Sequence, residues 1–218
     1  MAIDMKQLKN SLEYSHKKIT EIGGYSELTI LDGLDKSQIE SDEQYFGRKY
    51  SDRKFNFDSN LKKIYKITSG FIWKWSVKIA HYDELFGFSQ LYPLSSLYES
   101  DEEIGVKAHM TGVWRTMIDC GSVSKIAIRF DESEHEIELG WNAGNERPFV
   151  EPLAIDLSDM FELLIASCGL SNWQSHFTLE GLREFDIEHD DFLVALRHLE
   201  PATKPDVVQN ALDRLRTQ

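Results

Sequence analysis

The sequence has few cysteines and no long apolar run, and each scarcity excludes a class of protein. The two cysteines, Cys120 and Cys168, are too few for a disulfide framework or a metal cluster, and their apolar neighbours predict small buried side chains. No stretch of ~18 uncharged apolar residues occurs, so we expect no membrane-spanning helix. The apolar fraction of 41% and the charged fraction of 28% exclude wholesale disorder and a collagen-like chain.

Basic residues are also scarce, and their distribution is uneven. The chain has 24 Lys and Arg against 37 Asp and Glu, a net charge of −13. Residues 1–80 hold 14 basic and 11 acidic side chains (+3), whereas residues 81–218 hold 10 and 26 (−16). An acidic body repels phosphate backbones and anionic membranes, so we expect neither as a partner. The charge favours a basic partner, and the alternative is that it serves solubility alone.

Motifs that carry chemistry are absent from the sequence. The seven histidines form no His-x-x-x-His pair, and no nucleophile elbow, phosphate-binding glycine loop or calcium loop occurs. His189 lies beside acidic residues, but neighbours along a helix point to different faces and chelate poorly. A cysteine buried in a helix is inert, because burial raises the pKa of its thiol. We therefore expect no catalytic residue, no metal and no cofactor.

The beginning of the sequence bears on location. Residues 1–6 contain Asp4 and no apolar segment of the kind found in signal peptides. We therefore expect a cytoplasmic protein.

Helical periodicity occurs at both ends of the chain. A helix is predicted over 3–22, with Leu8, Leu12, Ser15 and Ile19 on one face and Gly23-Gly24 as its end. A second helix over 38–50 has Ser37 as its expected cap, with Glu40 completing a capping box. Further helices are predicted over these ranges: 58–67, 96–103, 156–168 (capped by Asp156), 170–178, 188–199 and 205–216.

Strand periodicity occupies the middle of the chain. In residues 71–77 the side chains of Phe71, Trp73, Trp75 and Val77 share one face, which indicates a half-buried strand. Residues 88–94 predict a short strand that Pro93 ends, near an edge of the sheet. Three more strands are predicted over 112–119, 124–131 and 135–141, the last two joined by a turn at 132–134, and a loop follows over 142–152.

Helices before and after a block of strands indicate an α+β fold. We predict an antiparallel sheet of about four to six strands, with helices packed on one face and flanking N- and C-terminal helices. The predicted divisions are an N-terminal helix (1–24), an α+β domain (25–178) and a C-terminal helical extension docked on it (179–218).

Clusters of carboxylates are the candidate binding residues. Glu134, Glu136 and Glu138 lie about 7 Å apart on one strand face, where they stay solvated and ionised. They form either a plain solvated face or an acidic docking patch. Trp141 is the candidate aromatic anchor, because tryptophan is enriched in interfaces. The predicted partner-binding residues are Asp101, Glu102, Glu103, Glu132, Glu134, Glu136 and Trp141.

Three blocks of the sequence, in order, resemble the SUKH superfamily. Residues 61–71 are similar to its helix-to-strand block, and 91–97 to its isoleucine-x-proline-leucine block. Residues 161–174 are similar to its closing helix and a following glycine-x-x-x-tryptophan-glutamine, here Gly169 to Gln174. Ser69 stands where asparagine is usual, and Asn56-Phe57-Asp58 replaces a leucine-proline pair. The resemblance covers roughly residues 25–178.

The resemblance implies an α+β domain without enzymatic activity. Bacterial members are implied to be immunity proteins that bind and neutralise a cognate toxin, and eukaryotic members to be regulatory scaffolds. We therefore expect an immunity protein that binds a basic toxin domain, such as a nuclease. A regulatory interaction scaffold is the first alternative, and a hydrolase with a site dispersed along the sequence is the second. The sequence leaves the oligomeric state open.

Overall fold

A computed structural model of the chain describes residues 7–49, 57, 59–79, 84–99, 113–121, 124–130, 138–142, 150–184 and 191–217. Its helices are α1 (Leu8–Glu21), α2 (Lys36–Lys49), α3 (Ser59–Ile67), α4 (Ser96–Glu99), α5 (Leu157–Ala166), α6 (Leu179–Glu184), α7 (Asp191–His198) and α8 (Pro205–Arg216). A 3-10 helix spans Trp173–Phe177. No helix in the described part is both long and apolar enough to cross a membrane.

One antiparallel sheet of seven strands organises the fold, and its strands lie side by side in chain order. The strands are β1 (Tyr25–Ile30), β2 (Phe71–Val77), β3 (Leu85–Leu91), β4 (Val113–Asp119), β5 (Lys125–Phe130), β6 (Glu138–Asn142) and β7 (Glu151–Pro152). The α+β prediction is confirmed, with a strand count slightly above four to six. The two additional strands, β1 and β7, form the edges of the sheet.

The position predicted for the strand before Pro93 was wrong. That strand is β3, which lies third in the sheet between β2 and β4. Only Gln90 and Leu91 pair with β4. Near the start of β3, the backbone N–H of Ser171 donates to the carbonyl of Phe86. The chain after α5 therefore lies beside this part of β3, where β4 does not pair with it.

The α1 helix follows its predicted pattern. Leu8, Leu12, Ser15 and Ile19 are all buried, because their spacing places them on one face. The helix ends at Glu21, and Gly23 then takes a left-handed φ of 85° that a side chain would disfavour.

The start of α2 lies two residues before its predicted position. Asp35 Oδ1 accepts from the backbone N–H of Gln38 at 2.8 Å, and the side-chain oxygen of Gln38 accepts from the N–H of Asp35 at 2.8 Å. This is a capping box with Asp35 as the cap. The hydroxyl of Ser37 also donates to Asp35, so the capping role predicted for Ser37 and Glu40 was wrong.

The apolar core lies on one face of the sheet, which we call the inner face. Phe71, Trp73, Trp75 and Val77 point into it from β2, as their alternation predicts. Helix α5 is buried almost all round, because it lies between the inner face and the terminal helices. Residues of α1, the sheet, α7 and α8 all belong to this one cluster, so the three predicted divisions share a core.

The chain leaving α5 is held tightly against the inner face. Cys168 and Gly169 both have left-handed φ angles, of 54° and 60°. The indole N–H of Trp75 donates to the carbonyl of Cys168 at 2.7 Å. A Cβ on Gly87 would lie 2.4 Å from the Trp75 Nε1 and 2.7 Å from the Gly169 carbonyl oxygen, so the crossing needs glycine there.

The segment between α7 and α8 joins the last part of the chain to the first. The carbonyl of Ala202 accepts hydrogen bonds from the Ser15 hydroxyl at 3.1 Å and the Cys168 thiol at 2.9 Å. The N–H of Lys204 donates to the carbonyl of Ala166 at 2.8 Å. These buried contacts fix the C-terminal helices against α1 and α5.

Candidate functional site

The acidic residues predicted to bind a partner cannot be placed in the fold. Asp101, Glu102, Glu103, Glu132, Glu134 and Glu136 all lie outside the described residues. Their contribution to a binding surface stays a prediction from the sequence.

Trp141, the seventh predicted residue, lies in β6 on the inner face. It is 8% exposed, and its indole N–H donates to the Ser124 hydroxyl at 2.8 Å. That hydroxyl donates in turn to the side-chain carbonyl of the fully buried Gln174, at 3.3 Å. Trp141 is therefore a core residue, and the expectation that it forms an exposed anchor was wrong.

This buried network explains the tryptophan-glutamine pair that follows α5. Trp173 and Gln174 begin the 3-10 helix and are both fully buried. Gln174 links that helix to Ser124, at the turn between β4 and β5. The pair therefore attaches the chain after α5 to the sheet.

Both thiols are buried and have raised pKa values. Desolvation raises the pKa of Cys168 to about 12, against the smaller opposing effects of Ser15 and of the charge of Lys204. Desolvation, followed by the charge of Asp119, raises the pKa of Cys120. A thiol that remains protonated near neutral pH is a poor nucleophile and a poor metal ligand. The described residues contain no group of three or more His, Cys, Asp or Glu side chains that could hold a metal ion.

A groove of about 280 Å³ lies between α2 and the turn after β3. Leu34, Gln38, Asp42 and Pro93 contribute to its walls. Asp42 is the one ionisable side chain in the described part of this lining. General acid–base catalysis usually needs a pair of groups with different pKa values, which this part of the lining does not supply.

The opposite face of β1, β2 and β3, which we call the outer face, carries the largest exposed apolar side chains of the sheet. Tyr25 and Phe86 are each 55% exposed and Ile72 is 42% exposed. Ser76 pairs with Tyr25 on one side and Phe86 on the other, so the two rings flank a small side chain. Aromatic residues around small ones form a surface that suits protein contact.

An ion pair joins β1 and β2 on the outer face. Lys74 Nζ lies 2.5 Å from Glu27 Oε2, and both side chains are about half exposed. Tyr92 donates to Asp119 Oδ2 at 3.3 Å, and desolvation, followed by the charge of Asp119, raises the pKa of that phenol. An exposed ion pair of this kind adds little to stability. It does neutralise the positive charge of Lys74 beside Phe88, the residue of β3 that pairs with Lys74.

The outer face changes character at the β4 to β7 end. Trp114 is 1% exposed there and clusters with Ala127 and Val150. A Cβ on Gly140 would lie 2.8 Å from the Trp114 ring and 2.0 Å from a methyl of Val150. Small residues in β5 and β6 therefore make room for this indole, and among the described residues the exposed large apolar side chains of this face lie on β1, β2 and β3.

The alternation in β2 that predicted its buried residues also indicates which of its residues lie on the outer face. The alternation of β2 places Ile72, Lys74 and Ser76 together on the outer face. Because β1 was not predicted and β3 was predicted to begin at residue 88 instead of Leu85, Tyr25 and Phe86 had no assigned position beside them. Correct strand boundaries would have indicated the exposed pair.

Comparisons with known proteins find no family model, no curated protein and no solved structure that matches this chain.

Proposed function

We propose that this chain is a non-catalytic protein of the SUKH type that neutralises a toxin in the cytoplasm by binding a basic domain of it, such as a nuclease. The observation that carries the proposal is the −16 charge of residues 81–218, from 10 basic and 26 acidic side chains. A domain that holds a phosphate backbone must be basic. An acidic protein therefore suits the same surface and competes with the substrate.

The outer face is the proposed centre of contact. Interfaces place aromatic residues at their centre and charged residues at the rim. Tyr25, Ile72 and Phe86 supply the apolar part of this surface, and the exposed Glu84 lies two positions before Phe86 in the chain. The excess negative charge of the chain would speed the encounter with a basic domain, and apolar contact would then slow its release.

The burial of the thiols supports a binding role. Both side chains that could act as strong nucleophiles are inside the core, with pKa values raised by desolvation. The proposed role then depends on surface complementarity, which needs no reaction centre.

Binding to toxin domains encoded beside the gene tests the proposal. Each purified domain is titrated with the purified chain by calorimetry, and its activity is measured in parallel. We expect one domain to bind with one-to-one stoichiometry and to lose its activity, whereas polylysine binds weakly and with strong dependence on salt. Failure of every neighbouring domain to bind, or equal binding of polylysine, would overturn the proposal.

Two matched variants test the outer face. Phe86→Ala removes an exposed aromatic ring, and we expect about 30-fold weaker affinity if it is an interface hot spot. Leu179→Ala is the control, because Leu179 is equally exposed at 57% but lies on α6. Equal effects of the two variants would contradict the assignment to the outer face.

A charge reversal tests the predicted acidic patch. Replacing Glu132, Glu134 and Glu136 with lysine should lower the association rate and its sensitivity to salt. An unchanged association rate at low salt would remove this patch from the interface and leave the binding function itself intact.

A further inference from the structure

The two edges of the sheet differ in how they resist pairing with another strand. Strand β7 is two residues long and contains Pro152, which has no N–H to donate. Strand β1 has six residues, contains no proline and pairs with β2 through six consecutive positions without a register shift. Proteins commonly protect sheet edges with short strands, prolines and bulges. Strand β1 has none of these devices.

The backbone of β1 presents unpaired groups on its open side. The N–H of Leu31 donates to the carbonyl of Gly70, so this residue and those two positions apart from it direct their backbone groups toward β2. Ser26, Leu28 and Ile30 therefore direct their N–H and C=O groups outward. Among the described residues, no backbone hydrogen bond reaches these groups.

We propose that β1 pairs with β1 of a second copy of this chain, antiparallel about a twofold axis at Leu28, to form one continuous sheet. Leu28 then lies opposite itself, and Ser26 lies opposite Ile30 of the other copy. These three pairs use every outward backbone group of the strand, and each pair exchanges two hydrogen bonds. The dimer does not rest on the toxin-binding proposal, because it is argued from the backbone of the sheet edge, although Tyr25 lies where the two surfaces meet.

Two neighbouring registers are less favourable than this one. Glu27 lies opposite the uncharged Thr29 of the other copy, whereas moving the axis to Glu27 would place Glu27 opposite itself. Like charges directly opposite each other destabilise strand pairing. Moving the axis to Thr29 would leave Ser26 without a partner inside β1. Tyr25 and Leu31, which are 55% and 45% exposed, also come opposite each other at both ends of the pairing.

The register predicts opposite effects for two substitutions at one exposed position. Thr29→Glu places like charges opposite each other twice in the dimer, once for each copy of Glu27. We expect dimerisation to weaken about 2- to 30-fold. Thr29→Lys places opposite charges there and should strengthen dimerisation by a similar factor. Thr29 is exposed, so neither variant should disturb the monomer fold.

Sedimentation velocity of the full chain, from micromolar to submillimolar concentrations, measures the dimerisation constant. Asn210→Glu and Asn210→Lys are the controls, since they make the same changes in net charge at an exposed position on α8. The expected result is a dimer whose affinity changes at position 29 and not at position 210. A chain that remains monomeric throughout, or a dimer affected equally at both positions, would overturn the proposal.

Oxidative cross-linking tests the register directly. Opposed residues of a hydrogen-bonded pair have Cα atoms about 5.5 Å apart, within the range for a disulfide. Leu28→Cys should therefore form a disulfide-linked dimer under mild oxidation, whereas Glu27→Cys should not. The native cysteines are buried and should not interfere. Cross-linking of Glu27→Cys in preference to Leu28→Cys would contradict the register.

Discussion

Ser124 is the central residue of the buried network, and its replacement by alanine gives a sharp test of the core. Its hydroxyl, in a residue only 2% exposed, accepts from the indole N–H of Trp141 and donates to the side-chain carbonyl oxygen of Gln174. Ser124→Ala leaves one donor and one acceptor buried without this partner. Each unsatisfied buried group costs about 1–3 kcal/mol. Because the hydrogen bond to Gln174 is the longer of the two, we place the cost of losing it at the lower end of that range.

We therefore expect Ser124→Ala to lower the free energy of unfolding by about 2–4 kcal/mol. For a chain of this size the melting temperature should fall by about 4–16 °C. Urea denaturation followed by circular dichroism measures the change. Ser41→Ala is the control, because Ser41 is exposed on α2, and its effect should stay within about 0.5 kcal/mol.

A double-mutant cycle separates the network from simple loss of packing. In a Trp141→Phe background the indole donor is already gone, so Ser124→Ala should cost less than it does in the wild-type chain. Equal costs in the two backgrounds, or a cost for Ser124→Ala no larger than for Ser41→Ala, would refute the reasoning.

Three further predictions follow from local geometry and burial. Gly87→Ala would force its Cβ against the indole of Trp75, and we expect about 1–3 kcal/mol of destabilisation by urea denaturation. Asp156→Ala removes the cap that accepts from the N–H of Asp159 at 2.7 Å, and should cost about 1 kcal/mol in the same assay. Burial raises the pKa of Cys168 from 9.0 to about 12, so the unfolded thiol ionises first and stability should fall as pH rises above 9. Cys168→Ala should show a smaller fall over that range, and an unchanged slope would contradict this account.

The sequence predicted the central elements well and missed both edges of the sheet. The period of two in residues 71–77 identified β2 and its buried side chains because that strand has one face in the core. Strand β1 has alternation too, but its side chains are only exposed or half-buried, so its apolar signal is weak. Strand β7 is two residues long and contains proline, which propensity alone assigns to a loop.

Contacts distant in sequence account for most of the other differences. Trp141 lies in the core because β6 pairs with β5, and its indole reaches a serine in the turn before that strand. Local spacing predicted the hairpin that contains both strands, but it does not reveal the contact between the indole and this serine. The α2 cap differed for a local reason, since Asp35 and Ser37 are both good caps and the side chain of Gln38 completes the box only with Asp35.

The hydrogen bond from Ser15 to Ala202 has a consequence for synthesis of the chain. The two residues are 187 positions apart. At about 5–20 residues per second, a ribosome needs about 9–37 s to travel that distance. The inner side of the first helix therefore lacks its final cover until residue 202 has been made, so this part of the core is completed long after the helix itself has been synthesised.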